Sequence, residues 1–366
     1  MGTQVGHFFR QLTFKPKPLP PDIRLDGQTA IITGASNGSL GSEAAKELAS
    51  HGLARLILAV RNAAATSAEA AKQQIIEQGA ESATTCDVQV WEVDYESFES
   101  MSAFAAWARS ELDRLDIVIL CAGVKNLEFA RAKTGHESNI QVCQPFGNSL
   151  PLPPPLALAP SHSQEDRPTL TPHHCRLRGA FLDLFLRTPR AIDPTAPRRG
   201  VELQGQGGME RYNTSKLLNV LWMCELSSRI AAAEVAFLSP LLASATSNDD
   251  RNERGGAANV PTVIINAVNP GFCASALHRS HAIPGQALIN LVLAWTPAQG
   301  GHCLTDAACR HGDCQGAYIS EQEVKSTSNF VTSAEGGRTQ KKLWEETVAV
   351  FSDVDPSFDL GDLLEV

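Results

Sequence analysis

Short apolar runs alternate with longer amphipathic segments over residues 26–142. The short runs are typical of strands buried on both faces of a sheet, and apolar residues that recur every three or four positions are typical of helices. The predicted strands are residues 29–32, 56–60, 88–94 and 117–120, and the predicted helices are residues 42–51, 64–78, 98–112 and 135–142. This alternation predicts an α/β fold with a doubly wound parallel sheet in a single domain, residues 26–351.

The periodic pattern stops at Cys143 and returns at Met209. Residues 143–200 contain eleven of the chain's 21 prolines and show neither the period of a strand nor that of a helix. Proline lacks an amide N–H and fixes one backbone dihedral, which keeps it out of helix interiors and central strands. We therefore expect an aperiodic, proline-rich segment in place of a central helix and strand. An N-terminal extension, residues 1–25, and a C-terminal tail, residues 352–366, complete the predicted organisation.

The first strand-to-helix turn is rich in glycine and reads TGASNGSLG, residues 33–41. Glycines in this place let the backbone approach a pyrophosphate closely, and the free N–H groups at the start of the helix attract its charge. A tight turn without a ligand is the alternative interpretation, because a glycine-rich turn alone is a weak signal. Its position in the first β-α unit favours a dinucleotide site.

The end of the second predicted strand distinguishes two nicotinamide cofactors. NAD-binding folds carry an acidic residue there for the ribose hydroxyls, whereas this chain reads LILAVRN and has Arg61. A guanidinium at this position can pair with a 2′-phosphate, which favours NADP. The alternative is a solvated arginine at the end of a strand.

A second chemical signal lies in MERYNTSKLLNVLWMCEL, where Tyr212 and Lys216 are four residues apart in a segment of helical period. That spacing places both side chains on one helix face. A neighbouring ammonium lowers the pKa of a tyrosine from its usual value of about 10 and makes the phenol a better proton donor or acceptor. The pair therefore predicts acid-base chemistry.

Together these motifs resemble the short-chain dehydrogenases/reductases, which have a Rossmann fold, and in particular fungal and retinol-dehydrogenase-like reductases. The similarity rests on TGASNGSLG, LILAVR, VDYESF, LCAGV, GHESNIQV, YNTSK, VNPGFCASAL and, near the C-terminus, GAYISEQEVK, FVTSAEG and LWEE. It implies an NADP-dependent oxidoreductase of fungal secondary metabolism that transfers a hydride between the nicotinamide and a carbonyl or alcohol carbon. A small-molecule substrate is the implied partner.

The resemblance also implies roles for particular residues. Tyr212 would be the catalytic acid or base and Lys216 its partner, and Asp94 would contact the adenine. Residues around the nicotinamide and its carboxamide would come from LCAGV and VNPGFCASAL. The implied cofactor-binding set is Gly34, Ser36, Asn37, Gly38, Leu40, Gly41, Arg61, Asp94, Cys121, Ala122, Gly123, Tyr212, Lys216, Pro270, Gly271, Cys273 and Ser275.

Several departures from the family pattern leave alternatives open. The glycine spacing carries one extra residue between Gly38 and Gly41, and Cys121 replaces the usual asparagine. The family's Q-V-N-H-L-G continuation, and the strand ending in the serine that binds the substrate carbonyl, are absent from their expected context. A catalytically impaired homologue that binds a dinucleotide without turnover is therefore the alternative function. A nucleotide-sugar epimerase is a further one, although the C-terminal motifs leave little room for its second domain.

Residues 143–206 are either a genuine insertion or a stretch translated out of frame. Codons for residues 144–148, read one nucleotide later, can spell Asn-His-Leu-Gly-Thr, which is the family's continuation after Q-V. Codons for residues 172–181, shifted likewise, can spell a strand that contains a serine. Sequencing of the transcript tests this hypothesis, because a spliced message that encodes the segment as printed excludes it.

Composition and charge indicate which classes of partner and which cellular compartment to expect. The net charge of −9, without a Lys/Arg cluster, argues against nucleic acid or an anionic membrane as the main partner. No apolar run is long enough for a membrane span or a signal peptide, so we expect a cytoplasmic chain with reduced cysteines. Homo-oligomers are common in the family, but the sequence identifies no interface. A cluster of His302, Cys303, Cys309, His311 and Cys314 permits a zinc site, but it lacks paired Cys-x-x-Cys spacing, and ordinary thiols without a metal are favoured.

Overall fold

The computed structural model describes residues 10–81, 85–143, 178–182, 207–245, 263–275, 290 and 293–354. Within these residues the strands are β1 (Thr29–Thr33), β2 (Arg55–Val60), β3 (Asp87–Glu92), β4 (Ile117–Leu120), β5 (Arg178–Leu182), β6 (Ile264–Asn269), β7 (Ala317–Ser320) and β8 (Glu323–Lys325). The helices are α1 (Leu40–Ser50), α2 (Thr66–Glu81), α3 (Phe98–Glu111), α4 (Ser138–Cys143), α5 (Gly208–Ala245), α6 (Pro297–Arg310) and α7 (Ala334–Val354).

These strands form one sheet in the order β3-β2-β1-β4-β5-β6-β7-β8. Strands β1 to β7 pair in parallel, and β8 returns antiparallel to β7. The predicted doubly wound parallel sheet is therefore confirmed. The strand order reverses between β1 and β4, and the carboxyl ends of the strands on either side of such a reversal form a crevice.

Apolar residues of both sheet faces are buried beneath helices. Alternate residues of β1 point to opposite faces, so that Ile32 joins one core cluster and Ile31 the other. The first cluster includes Leu48 of α1 and Leu304 of α6, and the second includes Leu221 of α5. Burial on both faces explains why the central strands are continuous apolar runs.

One detail of the predicted fold is corrected. A strand, β5, does occupy the centre of the sheet, where the sequence predicts that a proline-rich segment replaces it. Its register aligns Arg178 with Ile117 of β4 and with Ile264 of β6. The five residues RGAFL contain no proline and can form ladders on both sides, but so short a run shows no period within an aperiodic stretch of sequence. The rest of residues 144–206 lies outside the described residues.

Helix α4 begins three residues later than the pattern predicts. Gly135 has a φ of +88°, a left-handed conformation that a right-handed helix cannot contain. The Glu137 carboxylate then accepts a hydrogen bond from the Ile140 amide at 2.9 Å. The helix therefore starts at Ser138, after a glycine turn that hydrophobic periodicity does not reveal.

The predicted N-terminal extension is packed on the domain from residue 10 onward. Leu19 and Leu25 are buried in the core cluster beneath α1 and α6. The Leu19 amide donates to the Glu47 carboxylate at 2.7 Å, and His302 and Thr305 of α6 also bond to that carboxylate. Glu47 thus joins the extension to two helices.

Glu47 should make folding stability sensitive to acid. Burial alone would raise the pKa of its carboxyl, but the hydrogen bonds from His302, Thr305 and the Leu19 amide together lower it below the usual value. A lowered folded-state pKa contributes stability above the unfolded-state value of about 4.3 and loses it as the pH falls through the folded-state value. Glu47→Gln should therefore lower the free energy of unfolding by about 1.5–3 kcal/mol at pH 7. In urea titrations the difference from wild type should shrink below pH 4, and a constant difference would contradict this account.

Candidate active site

The glycine-rich turn lies at the carboxyl end of β1, beside the point where the strand order reverses. Gly34 has a φ of +67°, and a Cβ at this position would lie 2.8 Å from the Ala122 Cα. Only glycine therefore lets the turn pass so close to the chain that follows β4. The Ser39 side chain caps α1 by accepting from the Ser42 amide at 3.0 Å. The turn thus places the start of α1 at the crevice.

A cleft of about 540 Å³ opens at this edge of the sheet. It brings together most of the residues that the sequence assigns to a cofactor. These are Gly34, Ser36, Leu40, Arg61, Asp94, Cys121, Ala122, Gly123, Tyr212, Pro270, Gly271, Cys273 and Ser275. Asn37, Gly38, Gly41 and Lys216 belong to the same elements but are not among the lining residues.

Further lining residues are not among those that the sequence assigns to a cofactor, although Asn62 lies in LILAVRN and Tyr95 and Glu96 lie in VDYESF. Asn62 and Ser67 accompany Arg61 after β2, and Tyr95 and Glu96 follow Asp94 after β3. These residues supply hydrogen-bond donors and acceptors at one end of the cleft. Topology could have found them, because residues just beyond the carboxyl ends of parallel strands meet at one edge of the sheet.

Arg61 is solvent-exposed and directly follows β2. Among the described residues it has no ion-pair partner within 4.0 Å, whereas the nearby Asp94 carboxylate lies 3.5 Å from the Lys133 ammonium. Asp94 also accepts a hydrogen bond from the Glu96 amide at 3.0 Å. The guanidinium is therefore available to an anionic group that enters this end of the cleft.

Tyr212 and Lys216 lie in the second and third turns of α5, and each residue is only 1% exposed. The Lys216 Nζ atom lies 5.3 Å from the centroid of the Tyr212 ring. A second ammonium, Lys125 Nζ, lies 5.9 Å from the same centroid, and burial lowers the pKa of Lys125. Two lysine side chains thus lie within 6 Å of the ring of the tyrosine that the sequence predicts to be catalytic.

A buried ion pair holds the start of α5. Arg211 Nε lies 3.2 Å from Glu137 Oε1, and the two side chains are 2% and 3% exposed. Arg211 also donates to the Leu127 carbonyl at 3.0 Å, and the side-chain amide of Asn139 donates to the Glu137 carboxylate at 2.9 Å. Arg211 directly precedes Tyr212 in the chain, so this buried pair lies next to the tyrosine. Sequence reasoning missed it, because the partners are 74 residues apart and neither belongs to a recognised catalytic pattern.

Two cysteines occupy positions where the family pattern has asparagine. The amides of Cys121 and Ala122 both donate to Thr33 Oγ1 at 3.0 Å, which fixes the chain after β4 against β1. Desolvation raises the pKa of the Cys121 thiol to about 11, so it is protonated at neutral pH. Cys143 Sγ donates to the Val124 carbonyl at 3.2 Å and accepts from its amide at 3.3 Å. The Cys121 thiol is therefore a neutral group in the cleft lining, and the Cys143 thiol makes weakly polar hydrogen bonds to Val124.

The segment of residues 270–275 forms another part of the cleft wall. Gly271 has a φ of +72°, and a Cβ there would lie 2.4 Å from Trp295 Cζ3. The Gly271 amide donates to Asn269 Oδ1 at 2.9 Å. Trp295 and glycine thus fit against each other, and this packing brings Pro270 and Cys273 to the cleft wall.

The residues of the zinc interpretation have other contacts. His302 Nδ1 lies 2.9 Å from Glu47, and His311 Nε2 lies 2.9 Å from Asp306. Cys303 is buried, and burial raises its thiol pKa well above the usual value. Over the part of the chain that the structure describes, no group of three or more His, Cys, Asp or Glu side chains could hold a metal ion. In the same residues no helix is both long and apolar enough to span a bilayer.

Comparison with known proteins places these features in one family of sequences. The family model for short chain dehydrogenases matches residues 28–143. The chain is 51% identical over 327 residues to the short chain dehydrogenase sol3 of Alternaria solani, and the match covers 89% of this chain and all of that protein. It is 30% identical over 358 residues to the short chain dehydrogenase/reductase dmxR8 of Cryptosporiopsis sp. strain 8999, covering 96% of this chain and 98% of that one.

Solved structures share the fold at low sequence identity. A short chain dehydrogenase from Mycobacterium smegmatis superposes with a TM-score of 0.51 at 14% identity, covering 86% of this chain and all of that one. A protein described as a putative short chain dehydrogenase from Pseudomonas syringae gives a TM-score of 0.51 at 17% identity, with 84% and 99% coverage. The arrangement of sheet and helices is thus common to all three chains.

Proposed function

The chain belongs to the short-chain dehydrogenase/reductase family, a family of oxidoreductases that use nicotinamide cofactors, and we propose that it is an NADP-dependent enzyme acting on a carbonyl or alcohol. The substrate is a small, lipophilic molecule of the kind made in fungal secondary metabolism, an inference that rests on the fungal relatives. The observation that carries the proposal is the cleft, in which a glycine-rich turn, Arg61 and Tyr212 share one cavity.

The donor set of the cleft fits an extended, anionic dinucleotide. The start of α1 and Ser36 would hold the pyrophosphate, and Arg61 the 2′-phosphate. Asp94 would contact the adenine. Residues 121–123 and 270–275 would enclose the nicotinamide, which supplies or accepts the hydride when bound. Each group lies on the rim or wall of the same cleft, so one ligand can reach them all.

Tyr212 would transfer the proton on the substrate oxygen. Its hydroxyl belongs to a side chain that lines the cleft and is otherwise buried, so a bound carbonyl can receive the proton without competition from bulk water. Lys216, 5.3 Å from the ring centroid, stabilises the phenolate form by Coulomb attraction. Lys216 would also bind ribose hydroxyls of the cofactor.

A catalytically impaired homologue is the second candidate function. The strand β5 consists of Arg-Gly-Ala-Phe-Leu and contains no serine, although the family places its substrate-binding serine at the end of this strand. The remaining residues of the 143–206 segment lie outside the described part of the chain. Turnover of any carbonyl by the purified chain excludes this candidate, and tight NADPH binding without turnover supports it.

The cofactor proposal predicts a selective effect of Arg61. A lost guanidinium–phosphate contact should weaken NADPH binding by about tenfold or more in Arg61→Ala, since a charge-assisted contact contributes roughly 1.5–3 kcal/mol. NADH lacks the 2′-phosphate, so its affinity should change little. Fluorescence titration of wild type and variant with both cofactors measures this. Arg109→Ala, at an exposed position on α3, is the control. Equal weakening for NADH and NADPH, or tighter NADH binding by wild type, would contradict the assignment.

A further inference from the structure

The N-terminal segment contacts the loop that closes the cleft, through a buried glutamine. Gln11 is 9% exposed and bonds to the backbone of two distant segments. Its Nε2 atom donates to the carbonyls of Phe272 and Leu293, each at 2.9 Å. Its Oε1 atom accepts from the Phe272 amide at 3.1 Å. The side-chain amide therefore uses both its donor and its acceptor on a loop more than 260 residues away.

The backbone of Gln11 takes part in the same contact. Its carbonyl accepts from the Trp295 indole Nε1 at 2.9 Å, and the Phe14 ring lies 5.8 Å from the Trp295 ring. Trp295 in turn donates its amide to the Phe272 carbonyl at 2.8 Å and accepts from the Ala274 amide at 2.9 Å. Gln11 thus completes a small network that joins residues 272–274 to residues 293–295.

The loop held by this network lines the cleft on both sides of Phe272. Pro270 and Gly271 precede it, Cys273 and Ser275 follow it, and all four are cleft residues. The backbone of Phe272 is also held from the 293–295 segment, because its carbonyl accepts from the Trp295 amide at 2.8 Å. The buried side-chain amide of Gln11 adds two directional bonds to the backbone of Phe272, one at its N–H and one at its carbonyl, and a third to the Leu293 carbonyl. Bonds at both ends of Phe272 fix the position and the orientation of its backbone.

We propose that Gln11 is a positioning residue for the nicotinamide end of the cofactor, acting through the 270–275 loop. The proposal rests on the proposed function, because it takes the cleft as the NADP site. Gln11 does not line the cleft and takes no part in proton or hydride transfer. It keeps the loop in the conformation that receives the ligand, so that binding does not have to order it.

The competing explanation is that Gln11 only anchors the N-terminal segment. A second anchor of that segment provides a matched control. The Gln322 side chain accepts from the Lys17 amide at 2.9 Å and donates to the Lys17 carbonyl at 2.8 Å, away from the 270–275 loop. Gln322→Met and Gln11→Met remove equivalent amide contacts of the same segment, but only Gln11→Met frees the loop.

Hydrogen exchange and NADPH titration of the full-length chain test the proposal. In the protein without cofactor, Gln11→Met should accelerate exchange of the Phe272 amide at least tenfold, and Gln322→Met should leave it unchanged. The Kd for NADPH should rise about tenfold in Gln11→Met and stay within twofold in Gln322→Met, with kcat at saturating NADPH within twofold of wild type in both. If Gln11→Met does not fold, Gln11→Asn, whose amide is one methylene shorter, should give smaller changes in the same direction.

The outcomes distinguish the positioning role of Gln11 from the proposed NADP-binding function of the cleft. Faster exchange together with weaker NADPH binding supports the positioning role. Faster exchange with unchanged NADPH affinity overturns it, and unchanged exchange shows that Gln11 does not hold the loop. Equal effects of Gln11→Met and Gln322→Met assign Gln11 to anchoring alone. If wild type itself does not bind NADPH, the proposed function fails, whatever the exchange rates show.

Discussion

Tyr212→Phe should reduce kcat by about 10³-fold, because positioned general acid-base catalysis contributes roughly 10²- to 10⁴-fold to rate. The substitution removes one hydroxyl from a ring that lines the cleft and lies 5.3 Å from Lys216 Nζ. The ring itself stays, so NADPH affinity should remain within about threefold of wild type, as a fluorescence titration can measure. Loss of turnover with retained binding would assign the proton transfer to this residue.

Tyr318→Phe is the matched control for Tyr212→Phe. Tyr318 is a buried tyrosine in β7 that does not belong to the cleft lining, so its replacement should leave kcat close to that of wild type. A Tyr212→Phe variant that keeps more than about a tenth of the wild-type kcat would be incompatible with an acid-base role of the usual size. It would require another proton donor in the cleft.

The sheet was predictable because its strands are buried on both faces. The residues of β1, Thr29–Thr33, are all buried, and burial on both faces imposes an apolar run that is visible in the sequence. The places of Tyr212 on a helix face and of Arg61 at the end of a strand are also predictable, since helix spacing and strand ends have fixed geometry. Where the pattern depends on local periodicity, the sequence therefore predicts the element and brings these side chains to one cleft, and their chemistry stays a prediction.

The rest depends on contacts between residues that are distant in the chain. Strand β5 is stabilised by its neighbours β4 and β6, and its five residues have no periodic pattern that would identify a strand. Gln11 is polar in an unpatterned extension and becomes informative only when Phe272 is seen against it. In the sequence Glu137 resembles any surface acid, and only the fold shows that it is buried with Arg211 at 3.2 Å. Long-range pairing of this kind has no period from which it could be inferred.

Arg211→Met should lower the free energy of unfolding by about 3–5 kcal/mol, because removing one partner leaves the other charge buried without compensation. Glu137 would keep the hydrogen bonds from Asn139 and from the Ile140 amide, but its carboxylate would lose the only guanidinium within 4.0 Å among the described residues. Urea unfolding followed by tryptophan fluorescence measures the change. Arg24→Met, which breaks an exposed pair with Asp26, should have little effect by comparison.

A second substitution shows whether Arg211→Met loses stability because of an uncompensated buried charge or because of lost packing. In Arg211→Met/Glu137→Leu no ionised group remains at the site, so the double variant should be more stable than Arg211→Met alone. Equal or lower stability of the double variant would show that the shape of the pair, rather than its charge, holds α5. Since Arg211 directly precedes Tyr212, recovery of stability need not restore kcat. Stability regained without activity would show that the ion pair also sets the position of the tyrosine, beyond holding the helix in place.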